Sequence, residues 1–95
     1  MPAATRLGDL CSGHGCWPPR PSITASDNVL VNSLGAVRLN DAYAVHCCHA
    51  KCHPGVLIAG SSSVFINGRK AGRIGDAIDC GSVVAQGSMN VQIGG

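Results

Sequence analysis

One four-residue cassette occurs three times in this chain: Arg6-Leu7-Gly8-Asp9, Arg38-Leu39-Asn40-Asp41 and Arg73-Ile74-Gly75-Asp76. Each copy is followed by a potential metal ligand at nearly the same offset. His14 lies five residues after Asp9, His46 five after Asp41, and Cys80 four after Asp76. A threefold repeat that supplies one borderline or soft ligand per copy predicts a fold that gathers side chains at a common axis.

The segments before the cassettes repeat as well. Asn28-Val29-Leu30-Val31-Asn32, Ser63-Val64-Phe65-Ile66-Asn67 and Asn90-Val91-Gln92-Ile93-Gly94 are brief β-branched runs introduced by Ser or small polar residues. That composition predicts short strands bounded by turns. Asn67-Gly68 is a strong hairpin signal because both positions tolerate positive φ. Asn32-Ser33-Leu34-Gly35 is a weaker version of it. Asp41 lies twelve positions after Val29, and Asp76 twelve after Val64, so two copies read strand, turn, strand, cassette. The third stops at its turn glycines, Gly94-Gly95, and its missing half matches Pro2 to Asp9 at the other end of the chain. Pairing of the two terminal segments would close a threefold set of hairpins and remove two exposed sheet edges.

With 13 Gly, 5 Pro and no helical periodicity longer than a turn, the expected fold class is all-β. Ninety-five residues allow one small domain, residues 1–95. Three aromatic residues, Trp17, Tyr43 and Phe65, leave its core thin, so a staple is expected. Six cysteines and four histidines are the candidates to supply one. The residues between the copies read as loops: a Pro-rich one from Cys11 to Ile23 that carries Trp17, and a Cys/His-dense one from Tyr43 to Gly55.

The amino terminus has no apolar run of signal-peptide type, and no stretch approaches the ~20 apolar residues of a membrane span. Synthesis in the cytoplasm is expected, where clustered cysteines mean metal more often than disulfides. A net charge of +2, with seven Lys and Arg residues that form no block, is too mild to imply a nucleic-acid partner.

The preferred ligand set is His14, His46, His53 and Cys80. Three come from the symmetric positions, and four N and S donors suit a closed structural zinc site. His49, Cys48 or Cys52 could replace His53 as the fourth, and Cys48/Cys52 or His49/His53 could hold a metal as a local clip. Adjacent Cys47 and Cys48 are not expected to bond each other, and Cys11 and Cys16 read as buried or rim side chains. Asp9, Asp41 and Asp76 are expected to accept backbone N–H bonds in turns, with Arg6, Arg38 and Arg73 as charge-assisted ties. Trp17 reads as a cap on apolar surface. No Ser/His/Asp or paired-carboxylate constellation points to catalysis. An enzyme built on Cys47, Cys48 and Cys52 is the contrasting reading.

The ordered motifs Pro2-Ala3-Ala4-Thr5-Arg6-Leu7-Gly8-Asp9, Gly60 to Gly68, Gly72-Arg73-Ile74-Gly75-Asp76 and Gly87 to Gly94 resemble the PAAR-repeat proteins. These form the tips of type VI secretion spikes and related contractile machines. The resemblance covers nearly the whole chain, although Thr5 interrupts the motif in the first copy. It implies a small cone of β-hairpins with pseudo-threefold symmetry, zinc at the apex on His14, His46, His53 and Cys80, and a base seated on the trimeric VgrG spike protein. It also implies a non-enzymatic part that helps puncture membranes and carry effectors. Such a part is assembled in the bacterial cytoplasm and leaves on firing without a signal peptide. No effector domain is expected within the 95 residues, and a phage or other contractile-tail tip would share the same fold.

Overall fold

The computed structural model describes residues Met1–Gly95. It contains three two-stranded antiparallel sheets and no helix: β1 (Leu30–Val31) with β2 (Leu34–Gly35), β3 (Ala42–Cys48) with β4 (Lys51–Val56), and β5 (Phe65–Ile66) with β6 (Arg69–Lys70). Two of the hairpins turn as their sequences require. Asn32 and Ser33 hold φ 53° and 69°, and Asn67 and Gly68 hold 54° and 76°. Both central residues are left-handed, which matches the twist of the flanking strands. In the first hairpin the turn is therefore Asn32-Ser33, and Leu34-Gly35 already belong to the return strand.

The third hairpin is assembled from the two ends of the chain. Ala3 pairs antiparallel with Gln92; the Ala4 amide donates to Val91 O at 2.9 Å and the Ile93 amide to Pro2 O at 2.8 Å. The equivalent bonds elsewhere are Ala36 N to Val29 O and Ala71 N to Val64 O, both 3.0 Å. Each copy also begins with a buried serine whose hydroxyl accepts two amides further on: Ser26 from Asn28 and Val29, Ser61 from Ser63 and Val64, Ser88 from Asn90 and Val91. A hydroxyl that satisfies two otherwise unpaired donors starts the strand at a fixed residue.

The copies then join in a ring. Thr5 N donates to Gly72 O (3.2 Å), Gly72 N to Val37 O (2.9 Å) and Val37 N to Thr5 O (3.1 Å). No copy has a free edge at this level. Below the ring, toward the hairpin turns, lies one apolar cluster of Ala4, Ala36 and Ala71 with Val31, Ile66 and Ile93. Above it lies a second, formed by Cys11, Val37, Tyr43, Leu57, Ile78 and Val84, with Cys80 packed against it. The core is thus two thin layers along a body of 38 × 23 × 23 Å.

The axis has no room for three equivalent side chains. A Cβ on Gly72 would sit 2.7 Å from Leu57 Cδ2, 3.0 Å from Thr5 Cγ2 and 3.1 Å from Val37 O. Thr5 and Val37 fill the ring, and the third position stays bare so that Leu57 can close the layer.

The segment from Tyr43 to Gly55 departs from expectation. It is the longest hairpin of the molecule and not a loop, with a bulge between Tyr43 and His46. The bulge shifts the side-chain alternation, and Cys and His occupy ladder positions where β-branched residues would advertise a strand. Its strands of seven and six residues far outrun the two-residue strands of the other two hairpins.

Candidate metal centre

Each cassette forms one turn. Gly8, Asn40 and Gly75 hold φ 90°, 72° and 91°, the conformation a type II turn needs at its third residue. The Asp amide donates to the Arg carbonyl at 2.9, 2.9 and 3.1 Å. The Asp carboxylate answers by accepting the Arg amide and guanidinium: Arg6 on Asp9, Arg38 on Asp41 and Arg73 on Asp76, all between 2.7 and 3.2 Å. The amide that each aspartate accepts is that of its own arginine, and the same arginine supplies the ionic tie. These pairs raise all three guanidinium pKa values, the hydrogen bond to the aspartate contributing most.

Every turn releases the chain toward the narrow end, and there the structure brings His14, His46, His53 and Cys80 together. One ligand atom of each lies within 4.8 Å of the others. His14 sits at the start of a tight turn, with paired amide bonds to Trp17 of 3.0 and 2.8 Å. His46 is on β3, fully buried, and His53 is its cross-strand partner on β4. Cys80 follows the third cassette and approaches Gly55, where a Cβ would be only 3.2 Å from its sulfur. The threefold rule therefore positions three of the four, and the hairpin supplies the fourth by direct pairing.

The donor chemistry fits a cation. His53 Nε2 lies 3.1 Å from His14 Nε2 and 2.7 Å from His46 Nε2. His46 Nδ1 lies 2.8 Å from Pro18 O, which can only accept, so in the neutral ring that nitrogen carries the proton and Nε2 is left as the ligand atom. Three imidazole nitrogens facing one another cannot all be satisfied by hydrogen bonds among themselves. A shared cation would satisfy all three, with the Cys80 sulfur as a fourth donor. Desolvation, then the neighbouring His46 and His53 rings, hold the His14 pKa below its ordinary value, which favours the neutral ligand form.

Trp17 belongs to the site, which its sequence setting between Cys16 and Pro18 did not reveal. Its ring stacks on His14 with centroids 5.0 Å apart and leans on His53 at 5.2 Å. The indole N–H donates to Lys51 O on β4 at 3.1 Å. The tryptophan is a lid on imidazoles, not on apolar surface.

The remaining cysteines surround the quartet. Cys16 is bonded to Cys48 and Cys47 to Cys52, with Cα separations of 5.4 and 4.1 Å. This replaces the expectation of reduced thiols and of a Cys48/Cys52 clip. Cys47 and Cys52 face each other across the β3–β4 ladder, whereas Cys48 points to the opposite face and meets Cys16. Thiol chemistry at Cys47, Cys48 and Cys52 would need free sulfurs, and all three lie in disulfides. Cys11 is buried in the second core layer, where Ser82 Oγ is 3.6 Å from its sulfur.

A threefold hairpin base below a cluster of three imidazoles and a thiol defines a capped β cone. The family model for the PAAR motif matches residues 12–86, and the chain belongs to that family. It is 42% identical over 79 residues to the NAD(P)(+) glycohydrolase toxin Tse6 of Pseudomonas aeruginosa PAO1, a match over 77% of this chain and 18% of the toxin. The (p)ppApp synthetase toxin Tas1 of Pseudomonas aeruginosa UCBPP-PA14 matches over the same shares at the same identity. The double-stranded DNA deaminase toxin A of Burkholderia cenocepacia is 46% identical over 71 residues, 70% of this chain and 4% of the toxin. The chain thus spans less than a fifth of the length of these relatives.

Proposed function

We propose that residues 1–95 act as one PAAR-type unit, the non-enzymatic tip of a type VI secretion spike. His14, His46, His53 and Cys80 would hold a zinc ion at its apex. The observation that carries this reading is the convergence of three imidazole nitrogens and one sulfur at the end opposite the three-hairpin base. A donor set of three N and one S suits tetrahedral zinc, and a closed set of four leaves no position for a reacting water. When bound, zinc supplies a rigid cross-link where the narrowing body has too few side chains for a core.

The base is suited to a trimeric VgrG-type partner. Its hairpins recur about the axis, and Leu30 and Phe65 present exposed apolar side chains at equivalent positions of two of them. A threefold face on a single chain is the shape that caps a trimer with minimal mismatch. Three relatives whose names state three different activities share this stretch. Such sharing supports a delivery part that travels with different effectors and contributes to none of their chemistry. On this reading the unit assembles in the cytoplasm and leaves the cell with the spike, crossing the target membrane at its head.

Zinc content per chain, measured by mass spectrometry on untagged protein, tests the apex. One ion in wild type that is lost or sharply weakened in His14→Ala, His46→Ala, His53→Ala and Cys80→Ala is expected. Zinc that survives all four substitutions would sink the site. For the base, Phe65→Asp should abolish co-elution with a purified trimeric spike protein while leaving zinc content unchanged.

A further inference from the structure

A second group of soft donors lies outside the quartet. Cys16, Cys48 and His49 bring one ligand atom each within 4.8 Å of one another. Cys16 occupies the tip of the His14–Trp17 turn, Cys48 ends β3, and His49 opens the turn into β4. Cys16 and His49 are exposed, so this group faces solvent while the apical set faces inward. His49 holds φ 56°. Histidine is one of the few non-glycine residues that adopt positive φ readily, so it can hold this turn position. The turn sets its imidazole beside two sulfurs. His49 is also the one histidine of four that the apical set does not use.

We propose that in its thiol form the chain binds a second zinc ion through Cys16, Cys48 and His49, and that oxidation to the Cys16–Cys48 disulfide releases it. Two thiolates and an imidazole are donors that zinc accepts, and the open flank leaves its fourth position to water or an added ligand. The redox step balances. The two thiolates give up two electrons and form one S–S bond. An external disulfide such as oxidised glutathione takes the two electrons, its own S–S bond breaks, and with two protons it departs as two thiols. The ion leaves with its charge unchanged, because a disulfide offers no thiolate to hold it. The second site would therefore be filled in a reducing compartment and emptied in an oxidising one.

The proposal does not rest on the apical reading, since it is read as a difference of one ion per chain. Reduced protein is loaded anaerobically with excess Cd2+, desalted and analysed for cadmium. Wild type is expected to retain one ion more than Cys16→Ser or His49→Ala, whereas Cys47→Ser keeps the wild-type count. Treatment with oxidised glutathione should remove that same ion and the matching part of the thiolate-to-cadmium absorption band. His14→Ala should still lose one ion on oxidation, which separates the two sites. Equal cadmium in reduced wild type, Cys16→Ser and His49→Ala would overturn the proposal, as would retention of the ion after oxidation.

Discussion

Arg38 closes on Asp41 from both its main chain and its side chain. The amide reaches Oδ2 at 2.7 Å, Nε reaches the same oxygen at 2.9 Å, and Nη2 reaches Oδ1 at 3.0 Å. Thr24 Oγ1 and Arg69 Nη2 add two more donors to Oδ1, at 3.0 and 3.2 Å. Asp9 and Asp76 receive only the three donors of their own arginines. Removing the charge of Asp41 leaves buried donors without their acceptor, so Asp41→Asn should cost about 3–5 kcal/mol. Asp76→Asn should cost less. Denaturant unfolding of the two metal-loaded variants measures the difference, and equal losses would contradict the ranking.

The same carboxylate makes stability depend on acid. Desolvation raises its pKa, but the hydrogen bonds from Arg38 and Thr24 outweigh that and hold it below the ordinary value. A depressed folded pKa means that the contribution is complete above the unfolded carboxyl range, about pH 4, and is lost as pH falls through the folded value. The stability gap between wild type and Asp41→Asn should therefore be constant from pH 7 to about pH 5 and narrow below that. A gap that stays constant through the acid range would count against the assignment.

Gly72 offers a test of the ring. An added methyl group meets Leu57, Thr5 and the Val37 carbonyl together, and none of them can withdraw without opening a ring hydrogen bond or the second core layer. Gly72→Ala is expected to destabilise by about 1–3 kcal/mol, against the usual gain from replacing glycine. A shift to higher melting temperature would show that the axis is looser than the structure describes.

Trp17 should govern how fast metal leaves. Its stacking on His14 and its tilt on His53 restrain two imidazoles and shield them from solvent. Aromatic pairs of this kind contribute about 0.5–1.5 kcal/mol, so Trp17→Ala should speed zinc transfer to a chromogenic chelator roughly 2- to 10-fold. Trp17→Phe should recover much of the loss. An unchanged release rate in Trp17→Ala would reduce the indole to surface cover.

Much of this architecture was legible from spacing. The cassettes, the twelve-residue interval and the match of Gly94-Gly95 to Pro2 reflect backbone periodicity, and periodicity is written in sequence. What the sequence did not disclose depends on where the chain goes after it leaves the repeat. The bulge between Tyr43 and His46 decides which face Cys47 and Cys48 present, so the pairings with Cys52 and Cys16 could not be read from adjacency. Trp17 reaches His14 only because a tight turn folds it back, and its prolines gave no sign of that. The need for glycine at 72 comes from the packing of Thr5, Val37 and Leu57 around it, which no local pattern encodes.

The pairing of Ala3 with Gln92 also bears on how the protein is made. A ribosome delivers Pro2 to Ala4 first, and their partners Val91 to Ile93 arrive almost ninety residues later. Until then the first strand has no hairpin mate, although its ring partners Val37 and Gly72 have already been made. Closure is thus a late, long-range event, which places this small domain among the slow folders for its size. The nascent chain must remain unaggregated until the last strand emerges.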